Sequence, residues 1–194
     1  MEEAEGIFAV KLARYAVDAE VGNEAPDAGM APASFDEKRG VFVTLNTYPD
    51  GELRGCIGFP EPVYPLGEAI IQAAKHACHD PRFNDLQKDE AVTVEVSVLT
   101  VPELLAVKAE DRPKAIQIGK DGLIMEKGYY RGLLLPQVAV EWGWNNEEFL
   151  SHACAKAGLR ANAWKSSETR VFTFQAEIYS EVSPRGEIRR YEEK

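Results

Sequence analysis

Leu53-Arg54-Gly55-Cys56-Ile57-Gly58 follows the alternating run Val41-Phe42-Val43-Thr44-Leu45 across a turn signal at Pro49-Asp50-Gly51. The pattern predicts a β-hairpin over residues 40–59, with Leu53–Phe59 as its return strand. Alternation along a strand puts Arg54, Cys56 and Gly58 on one face and Leu53, Ile57 and Phe59 on the other. Glycines on both sides of a cysteine weaken a strand and mark a place where something approaches the backbone closely. Two readings of Cys56 stay open. It is a nucleophilic or ligand-contacting thiol, with Arg54 favouring the thiolate, or it is a small hydrophobe in a packed corner. No histidine lies in the same segment to serve as its base.

Outward from the hairpin, the patterning mixes helices with antiparallel strands. Apolar positions Ala4, Ile7, Phe8, Leu12, Tyr15, Ala16 and Ala19 predict a helix over 3–19. Gly22–Ser34, rich in Gly, Pro and acidic residues, predicts a loop. Pro65 opens a second helix whose stripe is Leu66, Ala69, Ile70, Ala73, Ala74, Ala77 and Cys78, ended by Pro81. Val92, Val94, Val96 and Val98 alternate with Thr93, Glu95 and Ser97, the strongest strand signal in the chain. Further strands are expected at Ile116–Ile118, Leu123–Met125 and Tyr130–Leu135. A helix runs from an Asn145 or Asn146 cap with acidic Glu147 and Glu148 to about Gly158, and a last strand covers Val171–Tyr179. Strict βαβ alternation is absent, so the fold class is α+β.

The 194 residues are 45% hydrophobic and 28% charged, and 22 basic against 32 acidic residues give a net charge of −10. An acidic surface repels phosphate backbones, which sets nucleic acid aside. The C-terminal cluster Arg185, Arg189, Arg190 and Lys194, diluted by Glu187, Glu192 and Glu193, reads as a solvated tail. The longest apolar stretch, Leu133–Val140, is too short to span a bilayer. No membrane role and a cytoplasmic location are therefore expected, with an acidic N-terminus unlike a signal peptide and an odd count of three cysteines suited to a reducing compartment.

Other constellations carry two readings each. His76 and His79, at a helix end, read either as part of a metal site in which His79 joins Asp80 or as histidines that complement the helix dipole. No other ligand set with metal spacing accompanies them. Neither a metal nor a cofactor is expected. In Asp80-Pro81-Arg82-Phe83, Arg82 is either a clamp on the helix end or a planar fork for a carboxylate or phosphate. In Gly132-Leu133-Leu134-Leu135-Pro136-Gln137-Val138, Gln137 is the one polar group placed to face a site. Trp142 and Trp144 read as packing against the following helix.

Taken in order, LRGCIG at 53–58, DPRF at 80–83, VSVLT at 96–100 and GLLLPQV at 132–138 resemble the AMMECR family, the AMME-syndrome candidate proteins. The likeness spans about residues 7–180. It implies a single AMMECR-type domain over 1–194, with a larger antiparallel-sheet lobe flanked by helices (about 1–105 plus 165–194) and a smaller α+β lobe (106–164). It implies LRGCIG as the hallmark motif, a function not yet assigned, and an association with Memo-like and radical-SAM proteins. His76 and His79 fall outside the family motifs. The expected site gathers Arg54, Gly55, Gly58, Arg82 and Gln137 around a small-molecule or peptide-like ligand, with Cys56 as nucleophile and Asp80 moving protons. The rival reading is a non-catalytic adaptor that binds a protein partner.

Overall fold

The computed structural model describes residues 1–25 and 27–191. In chain order the elements are α1 (Glu3–Glu20), β1 (Val41–Thr47), β2 (Leu53–Phe59), α2 (Leu66–Ala77), β3 (Val92–Leu99), β4 (Glu103–Leu104), α3 (Arg112–Ala115), β5 (Gly122–Lys127), β6 (Tyr130–Leu134), α4 (Pro136–Glu141), α5 (Asn146–Lys156), β7 (Arg170–Phe174), β8 (Ala176–Glu181) and β9 (Ile188–Arg190). Helices and antiparallel sheets make this an α+β fold. The chain divides into two compact units: Met1–Leu99 together with the described residues from Glu177 on, and Thr100–Ala176.

In the first unit the strand order is β2-β1-β3-β8-β9, with β1 antiparallel to both β2 and β3. Val41, Val43 and Leu45 of β1 and the four valines of β3 turn one face toward α1 and α2 and are buried there. Each such side chain contributes about 1.5–3 kcal/mol of transfer free energy. The helices answer with small residues (Ala9, Ala13 and Ala16 on α1; Ala69, Ala73, Ala74 and Ala77 on α2), which lets them pack closely. Arg14, buried on α1, donates from Nε and Nη2 to Glu181, from Nη1 to Asp18 and from Nη2 to the Val92 carbonyl. A second cation, Arg185, forks the same buried Asp18 at 2.7 and 3.0 Å.

That contact corrects the expectation of a solvated C-terminal tail. Arg185 satisfies a buried carboxylate, and Ile188–Arg190 pairs with β8 as an edge strand. Three residues of Ile-Arg-Arg are too short and too polar to announce a strand, whereas Asp18 buried beside one arginine still requires compensation. Glu192, Glu193 and Lys194 lie outside the described residues.

The second unit carries a four-stranded sheet in the order β4-β7-β5-β6. Phe149, Leu150, Ala153 and Cys154 of α5 pack with Leu123, Met125, Val171 and Trp164. Asn145 caps α5 as its spacing predicts, accepting from the Glu147 and Glu148 amides while the Glu148 carboxylate accepts from the Asn145 amide. Two expectations change. Ile116–Ile118 forms no strand; Ile116 is buried directly after α3, and the Asp121 carboxylate accepts from the Gln117 amide to close the turn. Val171–Tyr179 is two strands, β7 and β8, belonging to different sheets. The break falls at Gln175, whose backbone pairs with Thr100 in both directions and whose side-chain amide donates to Asp121. Apolar alternation runs through Gln175 without glycine or proline, so nothing local marks the exchange. Among the described residues no helix is long and apolar enough to cross a membrane.

Candidate functional site

β2 is an edge strand, so every second residue turns its N–H and C=O away from the sheet. Cys56 is one of these, and both of its backbone groups are taken by the segment that follows α2. Its amide donates to Asp80 Oδ2 at 2.9 Å, and its carbonyl accepts from Arg82 Nη2 at 3.3 Å. The segment can do this because Asp80-Pro81-Arg82-Phe83 is a β-turn with Pro second, closed by the Phe83 amide on the Asp80 carbonyl at 2.9 Å. Within the turn Asp80 accepts from the Arg82 amide and from Arg82 Nε, both at 3.0 Å, and from Nη2 at 2.6 Å. The Asp80 carboxyl is 1% exposed. Arg82 first, then the Cys56 and Arg82 amides, hold its pKa well below the usual carboxylate range against the opposing effect of burial. It is a fixed anion that positions the backbone.

Arg54 is committed in a similar way. Its Nε and Nη2 fork Glu90 at 2.7 and 2.8 Å, and its remaining reach goes to the Asn84 and Asp85 carbonyls. It therefore ties the 84–90 segment onto β2. Phe83 lies between the two arginines, 5.9 Å from Arg54 and 5.7 Å from Arg82. Together they line an open depression of about 860 Å³.

The glycines of the hexapeptide are explained from within the protein. A Cβ on Gly55 would stand 2.3 Å from the Ala77 carbonyl oxygen, so only glycine admits the end of α2. At Gly58 the space is filled by the Phe42 ring across the strand pair. The close approach that these glycines permit is made by α2 and by Phe42.

On the sheet face away from the helices, Thr44 stands between Cys56 on β2 and Glu95 on β3, since it is the register partner of both. Thr44 Oγ1 donates to Cys56 Sγ at 3.3 Å. Glu95 is half-buried, its pKa is raised by that burial, and among the described residues its carboxyl makes no hydrogen bond or ion pair. Sequence reasoning placed Glu95 opposite the valines and passed over it. The available signal was a lone carboxylate in the middle of a valine strand. Elsewhere in the protein, burial pushes the Cys78 thiol up to about 12 and raises Cys154 as well.

The structure thus brings together Arg54, Gly55, Cys56, Gly58, Asp80 and Arg82 in the first unit. Gln137 is exposed on the first turn of α4, in the second unit. His79 bridges Asp85 and Glu20 at 2.9 and 3.0 Å, which raises its pKa. Among the described residues no group of three or more His, Cys, Asp or Glu is disposed to hold a metal ion.

The sequence and the fold have counterparts in known proteins. The AMMECR1 family model matches residues 10–179. An uncharacterised protein of Thermococcus gammatolerans is 53% identical, over 95% of this chain and 94% of that one. The protein PH0010 of Pyrococcus horikoshii is 52% identical over 95% and 94%. The crystal structure of PH0010, described as uncharacterised, superposes with a TM-score of 0.78, covering 98% of each chain. The chain belongs to the AMMECR1 family.

Proposed function

We propose that the first unit carries a small-ligand site on the sheet face at Cys56, with the thiol as the reacting or contacting group and Glu95 as the group that exchanges protons. One observation carries the reading: the backbone of Cys56 is held on both its amide and its carbonyl by the Asp80–Arg82 fork. Rigid positioning of this kind is what a reacting atom needs. Asp80, kept ionised and fully bonded, is reassigned from proton carrier to positioning residue. Glu95 has the opposite character, being unpartnered and half-buried, with its pKa raised by that burial. A small anionic or peptide-like ligand suits the site, because Arg82 remains 55% exposed beside the thiol's backbone.

Alkylation by iodoacetamide across pH, read by mass spectrometry, tests the reading. Cys56 is expected to react in the folded protein while Cys78 and Cys154 stay protected, and Cys56→Ser removes the product. Glu95 lies on the same sheet face as Cys56 with Thr44 between them. A carboxylate there disfavours a thiolate, so Glu95→Gln is expected to move the alkylation midpoint to lower pH. A Cys56 thiol that stays inert from neutral to alkaline pH, or a midpoint indifferent to Glu95→Gln, overturns it. The alternative, a partner-binding module, has an observation of its own: Val140 and Trp142 stand 58% and 70% exposed in the second unit.

A further inference from the structure

The turn between α4 and α5 is built to hold one aromatic ring in solvent. α4 ends at Glu141, Trp142 follows as its cap, and Gly143 takes φ +65, a left-handed conformation that suits glycine. The amides of Gly143 and Trp144 return to the carbonyls of Val140 and Ala139 at 3.1 and 2.9 Å. Asn145 then caps α5. The corner is therefore fixed by backbone hydrogen bonds at the end of α4 and by the Asn145 side-chain cap at the start of α5.

Three near-parallel rings stand on it. Trp144 stacks on His152 of α5 with centroids 3.7 Å apart and planes 4° apart. Trp142 stacks with Trp144 at 6.0 Å and 18°. Trp144 is partly buried against the core of the second unit, which fits the expectation of packing against the following helix. Trp142 departs from it, being 70% exposed. Burying a tryptophan is strongly favourable, yet this one is held outside by a rigid stack.

Along the sequence the corner carries one sign of charge. From residue 132 to residue 155 the sequence contains Glu141, Glu147 and Glu148 and no lysine or arginine. Glu148 is spent on the Asn145 amide. Glu141 and Glu147 are exposed, and among the described residues neither carboxylate has a hydrogen bond or ion pair. An open indole face beside unpaired carboxylates attracts a desolvating cation twice over, through the ring quadrupole and through the charge. It repels phosphate backbones and anionic lipid surfaces.

We propose that the α4–α5 corner is a docking site for a cationic segment of a partner protein, an arginine or lysine side chain stacking on Trp142 with Glu141 and Glu147 as its counter-charges. The preformed stack lowers the ordering cost of binding, as rigid aromatic anchors do.

The experiment titrates the full chain with a short arginine–glycine peptide and with its citrulline counterpart, which keeps the shape of the guanidinium and lacks its charge. Tryptophan fluorescence and calorimetry report binding. The expected result is saturable binding that weakens with added salt, about tenfold weaker for the citrulline peptide. Trp142→Ala is expected to lose about tenfold or more, and Glu141→Gln about threefold, with the melting temperature of each variant unchanged. Three results overturn the proposal: no binding by millimolar peptide, equal binding of the citrulline peptide, or equal binding by Trp142→Ala. Concentration-dependent self-association abolished by Trp142→Ala overturns it too, because the corner then serves a second copy of the chain.

Discussion

The β2 corner of the first unit and the α4–α5 corner of the second are both rich in unusual side chains, and they use them in opposite ways. At β2, Arg54, Asp80 and Arg82 spend their hydrogen bonds inside the protein, on Glu90, on loop carbonyls and on the backbone of Cys56. What remains for outside chemistry is the thiol, the unpartnered Glu95 and the exposed side of the Arg82 guanidinium. At α4–α5 the holding is done by the backbone at Gly143 and by the Asn145 side-chain cap, which leave Trp142, Glu141 and Glu147 facing solvent. A charged residue at an irregular turn is thus no sign in itself of a ligand. Its hydrogen-bond partners decide whether it positions or presents.

Substitutions can break or sharpen that contrast. Asp80→Ala is expected to be the most damaging, costing about 3 kcal/mol in urea denaturation, because it strips the outer edge of Cys56 and leaves Arg82 without its partner. The folded-state pKa of Asp80 is depressed, so its contribution is complete above the ordinary carboxylate value near 4 and is lost as pH falls through the lower folded value. Acid unfolding of the variant is accordingly expected to be less steep than that of the parent. Gly55→Ala follows, at about 2 kcal/mol, since the new methyl meets the Ala77 carbonyl. His79→Gln is expected to cost less than about 1 kcal/mol, because the pair is solvent-screened. Its folded pKa is raised by Asp85 and Glu20, so the difference is present below about pH 6.5 and disappears as pH rises through the folded value. Trp142→Ala is expected to change stability by no more than about 0.5 kcal/mol. If Asp80→Ala were as mild as Trp142→Ala in the same denaturation series, the division between positioning and presenting groups would collapse.

Much of the scaffold was legible because it is written in local periodicity. The alternation of Val41–Leu45 and Val92–Val98, the alanine stripe of α2, and the Asn145–Glu148 capping box each encode their element within a few residues. The rest depends on contacts between distant positions. The exchange of sheets at Gln175 is fixed by Thr100 and Asp121, and β9 is accompanied by a salt bridge from Arg185 to Asp18 far up the chain. The candidate site was half legible. The hexapeptide and the Asp80–Phe83 turn could be singled out as motifs, but their joining at the backbone of Cys56 is a non-local event. Glu95 escaped because a polar residue on alternate strand positions ordinarily means solvent. The weight it carries comes from Thr44 as a shared neighbour and from its lack of a partner.

The fork on Cys56 has a consequence for how the protein behaves in a crowded solution. An edge strand offers free amides and carbonyls on which any extended chain can template. On β2 the central pair is already occupied, by a carboxylate that accepts and a guanidinium that donates, as an added strand would do. Two side chains of a four-residue turn thereby act as a plug against edge-to-edge aggregation, and a molecule that loses the plug exposes a strand able to recruit its own copies.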